Sequence, residues 1–215
     1  MESEAAQAAP RSFEMKLAKL ISYLFHPLLM PTYGFAILFI TRNYIATFTS
    51  SNIKLLVIGI TFIFTFLLPF VNALILLKIG RIKSLEMETI SERVILYAGA
   101  TVYYFALFYL FHVSGFPTIF KILVLGAGLS VLLTTLINLK WKISAHTIGI
   151  GGIAGAALGI EYRLQIDFHL ILILIIFIAG IVGYARLKLN AHSPSQVYSG
   201  FVLGFLAELL LLIFY

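Results

Sequence analysis

Ala185-Arg186-Leu187-Lys188-Leu189-Asn190-Ala191-His192-Ser193-Pro194-Ser195-Gln196 lies between two long apolar runs. It joins the end of one membrane helix to the start of the next. Arg186 precedes His192 by six residues and Gln196 follows it by four, so the two sides of the turn direct polar groups into one small volume. A second stretch, Lys142-Ile143-Ser144-Ala145-His146, has the same character. It sets a cation, a hydroxyl and an imidazole at the mouth of a glycine-rich apolar helix.

Around these stretches the chain is overwhelmingly apolar. Of 215 residues 61% are hydrophobic and 11% charged, and mean hydropathy is +1.03. A soluble domain is nearer one quarter charged. Apolar runs long enough to cross a hydrocarbon core of about 30 Å recur along nearly the whole length. The expected fold is all-α: a polytopic transmembrane helix bundle of six to seven spans. Residues 1–12 read as a disordered N-terminal tail and 13–215 as one transmembrane domain. Short alternating strands, the mark of a membrane β-barrel, do not occur. Cysteine is absent, which excludes disulfides and thiolate chemistry. The formal charge of +6 reads as cytoplasmic anchoring. No basic and aromatic stripe accompanies it, so no nucleic acid is expected.

Span one is Leu20–Ile40, where His26-Pro27 and Pro31 predict a kink. His26 reads as a packing or interfacial residue, because no polar partner is spaced near it. Span two is Ile53–Leu77, with a bend expected at Pro69 and a helix–helix contact at Asn72. A polar loop follows, and span three runs from Arg93 to Val113, with Ser91 as its candidate cap. Span four is Thr118–Leu139, closing beside Trp141 at an interface. Span five, Ser144–Ile160, carries Gly149, Gly151, Gly152, Gly155 and Gly159, the spacing of close helix packing. Spans six and seven are Phe168–Ala185 and Ser195–Tyr215. Glu208, deep in the last, reads as an interfacial or helix-pairing carboxylate in preference to a proton relay.

Two spans separate Arg93 from His146, and two more separate His146 from His192. An even number of crossings returns the chain to the same face. Arg93, Ser144–His146 and Arg186–Gln196 are therefore expected to meet at one surface, with His112 and His169 on the other. Eleven basic residues fall on the first face and four on the second, which places the site face on the cytoplasmic side of a cell (inner) membrane.

Helix starts at Ser144 and Ser193-Pro194 offer free N–H groups and positive potential to an anion. Arg93, Lys142 and Arg186 add cations, and two imidazoles add proton transfer and nucleophilicity near neutral pH. His192 and Gln196 stand one helical turn apart, so the Gln carbonyl can accept from one ring nitrogen and leave the other unprotonated. No carboxylate pair or Cys/His cluster with metal spacing accompanies them, so neither a metal nor another cofactor is called for.

Arg186-x5-His192 with a polar residue at Gln196 resembles the third signature of the type-2 phosphatidic acid phosphatase superfamily, S-R-x5-H-x3-D. Ser144-Ala145-His146 is similar to its second signature, P-S-G-H. The likeness covers about residues 140–205. It implies a metal-independent phosphatase of membrane lipid phosphates, with His192 as nucleophile and His146 protonating the leaving alcohol. Arg186 and Ser144 then bind phosphate, and a phosphohistidine forms and is hydrolysed. The departures are specific. Ala185 stands for Ser, Ile143 for Pro, Ala145 for Gly and Gln196 for Asp. The dolichyl-diphosphatase-like branch has a similar His-x3-Gln pattern. The first signature, K-x6-R-P, is degraded: Arg93 resembles its Arg but precedes Val94, and Glu86 occupies the Lys position, leaving Lys83 or Lys142 to substitute in space.

The resemblance implies phosphatidate, phosphatidylglycerophosphate or a polyprenyl phosphate or diphosphate as substrate, with the bilayer and a second copy of the chain as candidate partners. The competing reading is a catalytically weakened scaffold that binds or translocates phospholipid.

Overall fold

A computed structural model describes residues 2–85 and 89–215, with side chains described from residue 13 onward outside that gap. The expected 1–12 tail enters only as the backbone start of the first helix, and Glu86 lies outside the described residues. All regular structure among the described residues is helical: α1 (Glu2–Leu24), α2 (Met30–Ile40), α3 (Tyr44–Phe48), α4 (Ser51–Phe62), α5 (Leu68–Lys78), α6 (Ile90–Val113), α7 (Thr118–Asn138), α8 (Ala145–Leu164), α9 (His169–Lys188) and α10 (Pro194–Phe214).

Proline and its neighbours set the breaks. Between α1 and α2 the chain turns through a 3-10 segment, Pro27–Leu29, and the His26 side chain caps it by accepting from the Leu28 N–H at 3.3 Å. Between α4 and α5 a π-helical turn, Ile63–Leu67, precedes Pro69. Proline lacks an N–H and its ring crowds the preceding turn, so a widened turn ahead of it relieves the clash. Thr65 in that turn donates to the Leu28 carbonyl at 3.1 Å and ties the two breaks together. Asn72 packs against Gly99 of α6. The cap of α6 is Thr89, not Ser91. Its Oγ accepts from the Glu92 N–H at 3.3 Å, and Glu92 reaches back to the Thr89 N–H at 3.1 Å.

Six helical segments are long and apolar enough to cross a membrane: Phe13–Ile40, Ser51–Lys78, Ile90–Val113, Thr118–Asn138, His169–Lys188 and Pro194–Phe214. The chain is a multi-pass helical membrane protein. The expected span five, α8, is not among the six, since glycine fills much of it and lowers its apolarity. It lies inside the bundle, where ten of its 20 residues are buried. A helix surrounded by other helices does not need a lipid-facing stripe.

The most extensive helix pair is α8 with α10. Both begin at the same end, since the Ser144 N–H donates to the Gln196 carbonyl at 3.3 Å. They then run parallel in backbone-to-backbone contact. Gly151, Gly155 and Gly159 of α8 face Phe201, Phe205 and Leu212, while Gly200 and Gly204 of α10 face Ser144, Thr147 and Ile148. The spacing of four keeps each glycine on one stripe. A β-carbon at most of these positions would overlap the opposing backbone.

A candidate phosphate site at the mouth of a lipid-sized cavity

The termini of α1, α6, α8 and α9 and the turn before α10 frame one end of a cavity of about 1130 Å³. Arg93, Lys142, His146, Arg186 and His192 all line it, as do Lys19, Ser22, His26 and Tyr97. Residues as far apart as Arg93 and His192 thus share one chamber, as the count of crossings requires. From this mouth the cavity follows α8 from Ala145 to Ile160, about 22 Å at 1.5 Å per residue. Its deeper walls are mainly apolar, among them Phe35, Leu38, Leu123, Ile153 and Phe168.

Each polar residue has an identifiable support. Arg186, in the last turn of α9, donates to Ser22 Oγ at 3.1 Å, while its Nε is buried without a hydrogen bond. His146, in the first turn of α8, has Nε2 3.1 Å from the Ser22 carbonyl, which assigns the ring proton to Nε2. His192 Nδ1 is 3.1 Å from Gln196 Oε1, and that oxygen also accepts from the Ser193 N–H at 3.1 Å. An amide oxygen is an acceptor only, so Nδ1 carries the proton and Nε2 keeps its lone pair. Lys188 ion-pairs with Glu14 and latches α1 across the end of α9.

The remaining expected residues do not line the chamber. Gln196 stands behind His192, and Ser144 is fully buried behind the lining with its Oγ unbonded. Lys83 is exposed and outside the cavity; its backbone N–H donates to Glu92 Oε1 at 2.7 Å. Lys142, not Lys83, brings an ammonium group to the lining. His112 and His169 are likewise absent from it.

His26 was missed as a site residue. Its ring packs edge-on to His146 with centroids 5.8 Å apart and lines the same chamber. Since its Nδ1 accepts from Leu28, its proton sits on Nε2. No sequence spacing marks it, because its companions are 120 residues away. The one available signal was the proline beside it, which breaks the helix there and frees the ring to turn inward.

The loop groups are electrically coupled. Burial, followed by the nearby Arg186 and Lys142 cations, pushes the His192 imidazole down to about 4, against smaller opposing effects from Gln196 and the Lys142 backbone. Burial, then Arg93 and Arg186, also lowers Lys142. A folded value below the ordinary 6.5 means that the fold favours the neutral ring. Its stabilising contribution is complete above pH 6.5 and is lost as pH falls through about 4. In an NMR titration of the free protein, His192 is expected to titrate near 4, and Lys142→Met to move the midpoint upward by removing a neighbouring cation. A midpoint near 6.5 in the unsubstituted protein would contradict the buried placement of the ring.

Imidazoles and guanidinium groups thus stand together at the mouth of a mainly apolar chamber inside a helical membrane bundle. Residues 133–215 match the model of the PAP2 superfamily. His146, Arg186, His192 and Gln196 fall inside it; His26, Lys83 and Arg93 fall outside. No curated protein and no solved structure matches the chain.

Proposed function

We propose that this protein is an integral-membrane, metal-independent lipid phosphate phosphatase acting through a phosphohistidine. The observation that carries the reading is the shared chamber: His192, His146, Arg186 and Lys142 line the mouth of a cavity whose inner walls suit a lipid tail. The anionic head binds among Arg186, Lys142 and Arg93, and the chain extends along α8. The His192 Nε2 lone pair attacks phosphorus, a P–N bond forms and the P–O ester bond breaks. His146, protonated also at Nδ1 beside the bound phosphate, gives that Nδ1 proton to the departing alkoxide. It then takes one from the water that cleaves the P–N bond and releases inorganic phosphate. Gln196 holds the His192 tautomer required for the first step. Candidate substrates are phosphatidate, phosphatidylglycerophosphate and polyprenyl phosphates or diphosphates. The excess of cations at the site face supports a cytoplasmic orientation in the cell membrane.

The test is phosphate release from a panel of these lipids by purified protein in detergent, with chelator present. Turnover of at least one, unaffected by the chelator, is expected. Absence of turnover on every member would overturn the reading. A second reading, lipid binding or translocation without efficient chemistry, is favoured by one observation: Lys83 lies outside the chamber.

A further inference from the structure

Deep in the same cavity lies a polar pair that the phosphatase chemistry does not use. Glu208 of α10 is 5% exposed, lines the cavity, and its Oε2 makes no hydrogen bond. Among the described residues no basic side chain forms an ion pair with it. Ser130 of α7 is also 5% exposed, lines the same cavity, and its Oγ has no partner. Gly126 makes room for the carboxyl group, and Gly152 is an ordinary neighbour of the same side chain. A β-carbon on Gly126, one turn from Ser130 on the same face of α7, would lie 2.5 Å from Glu208 Oε2. One on Gly152 would lie 3.7 Å from Glu208 Cγ. Unpaired polar atoms in an apolar chamber are costly, and a carboxyl group without a cation is accommodated most cheaply as the neutral acid. That form has one O–H to donate and a carbonyl oxygen to accept.

Gly152 is six residues below His146 on α8, so the Glu208 side chain beside it stands about 9 Å inward from His146. A lipid held by its phosphate at His192 would place its glycerol and first acyl atoms at this depth. Acylglycerol phosphates carry neutral hydrogen-bond acceptors there, the ester carbonyls. A polyprenyl chain has none, and would leave both Glu208 and Ser130 unsatisfied. We propose that Glu208 and Ser130 form a second, neutral polar subsite that takes an ester carbonyl of the bound lipid, selecting acylglycerol phosphates over polyprenyl phosphates. The inference rests on the lipid phosphatase reading and names its substrate class.

Binding to the catalytically inert His192→Ala protein in detergent separates the two. The probes are dioleoyl phosphatidate, its di-ether analogue lacking both carbonyls, and farnesyl phosphate. The ester lipid is expected to bind about fivefold to tenfold more tightly than the ether, the worth of one neutral hydrogen bond. Adding Glu208→Leu should abolish that difference, whereas Glu208→Gln, which still donates, should retain part of it. Equal binding of ester and ether, or an equal loss for all probes in the Leu variant, overturns the subsite alone. Failure of every lipid phosphate to bind overturns it together with the reading beneath it.

Discussion

His192→Ala is expected to reduce phosphate release from the best lipid substrate by at least about 10³-fold, because it deletes the atom that receives the phosphoryl group. The protein should still purify as a monodisperse species. His192 sits on the half-buried turn between α9 and α10, and its ring contacts are with Gln196 and the loop backbone at Lys142, outside the helices. Gln196 keeps its bond to the Ser193 N–H when the ring is removed. His146→Ala should behave differently. It removes a proton donor, so the loss should be about 10²- to 10⁴-fold for alkyl esters. It should be much smaller for a nitrophenyl ester, whose leaving group needs no proton. If both variants release phosphate like the parent, the chemistry is elsewhere. If the parent releases none while both variants hold lipid equally well, the binding or translocation reading replaces the phosphatase.

Gly204→Leu should be the most damaging single substitution to the fold, at a cost of more than about 3 kcal/mol. Its missing β-carbon faces the Ile148 carbonyl, and Gly155 on the opposite helix faces the Phe205 carbonyl in the same manner. Backbone cannot rotate aside as a side chain does, so α8 and α10 must separate. They are bonded near their starts through Ser144 and Gln196, so separation would also shift His192 relative to His146. Thermal unfolding in detergent should show a large fall in midpoint, with phosphate release falling alongside. Gly59→Ala is the control, because nothing lies within 4 Å of the added carbon. That change should be neutral or slightly stabilising, as expected for a helix interior. Similar losses in both variants would mean that the glycine stripe is not a contact surface.

Much of this was written in local pattern. Hydropathy located the spans, Pro27 and Pro69 located the breaks, and the glycine spacing located the tightest helix pair. The parity of crossings by itself assigns Arg93, His146, Arg186 and His192 to one end, since each crossing reverses the side of the membrane. Where local pattern failed, the cause was a partner distant in the chain. His26 has no polar neighbour in sequence, yet its ring rests on His146. No local pattern marks Ser22, yet it bonds both His146 and Arg186. Lys83 and Lys142 were equivalent until the fold left one exposed and set the other in the chamber.

Residue order alone therefore determined that this chain is a helical membrane protein with one polar face built from two short loops, because burying apolar length and satisfying backbone groups in lipid leave few other solutions. Only tertiary packing decided that the polar mouth opens into a cavity about 22 Å deep, that His26 joins the imidazoles, and that Glu208 lies between two glycines within it. Cavity shape depends on how side chains from distant helices fill the space they share. No local periodicity carries that information.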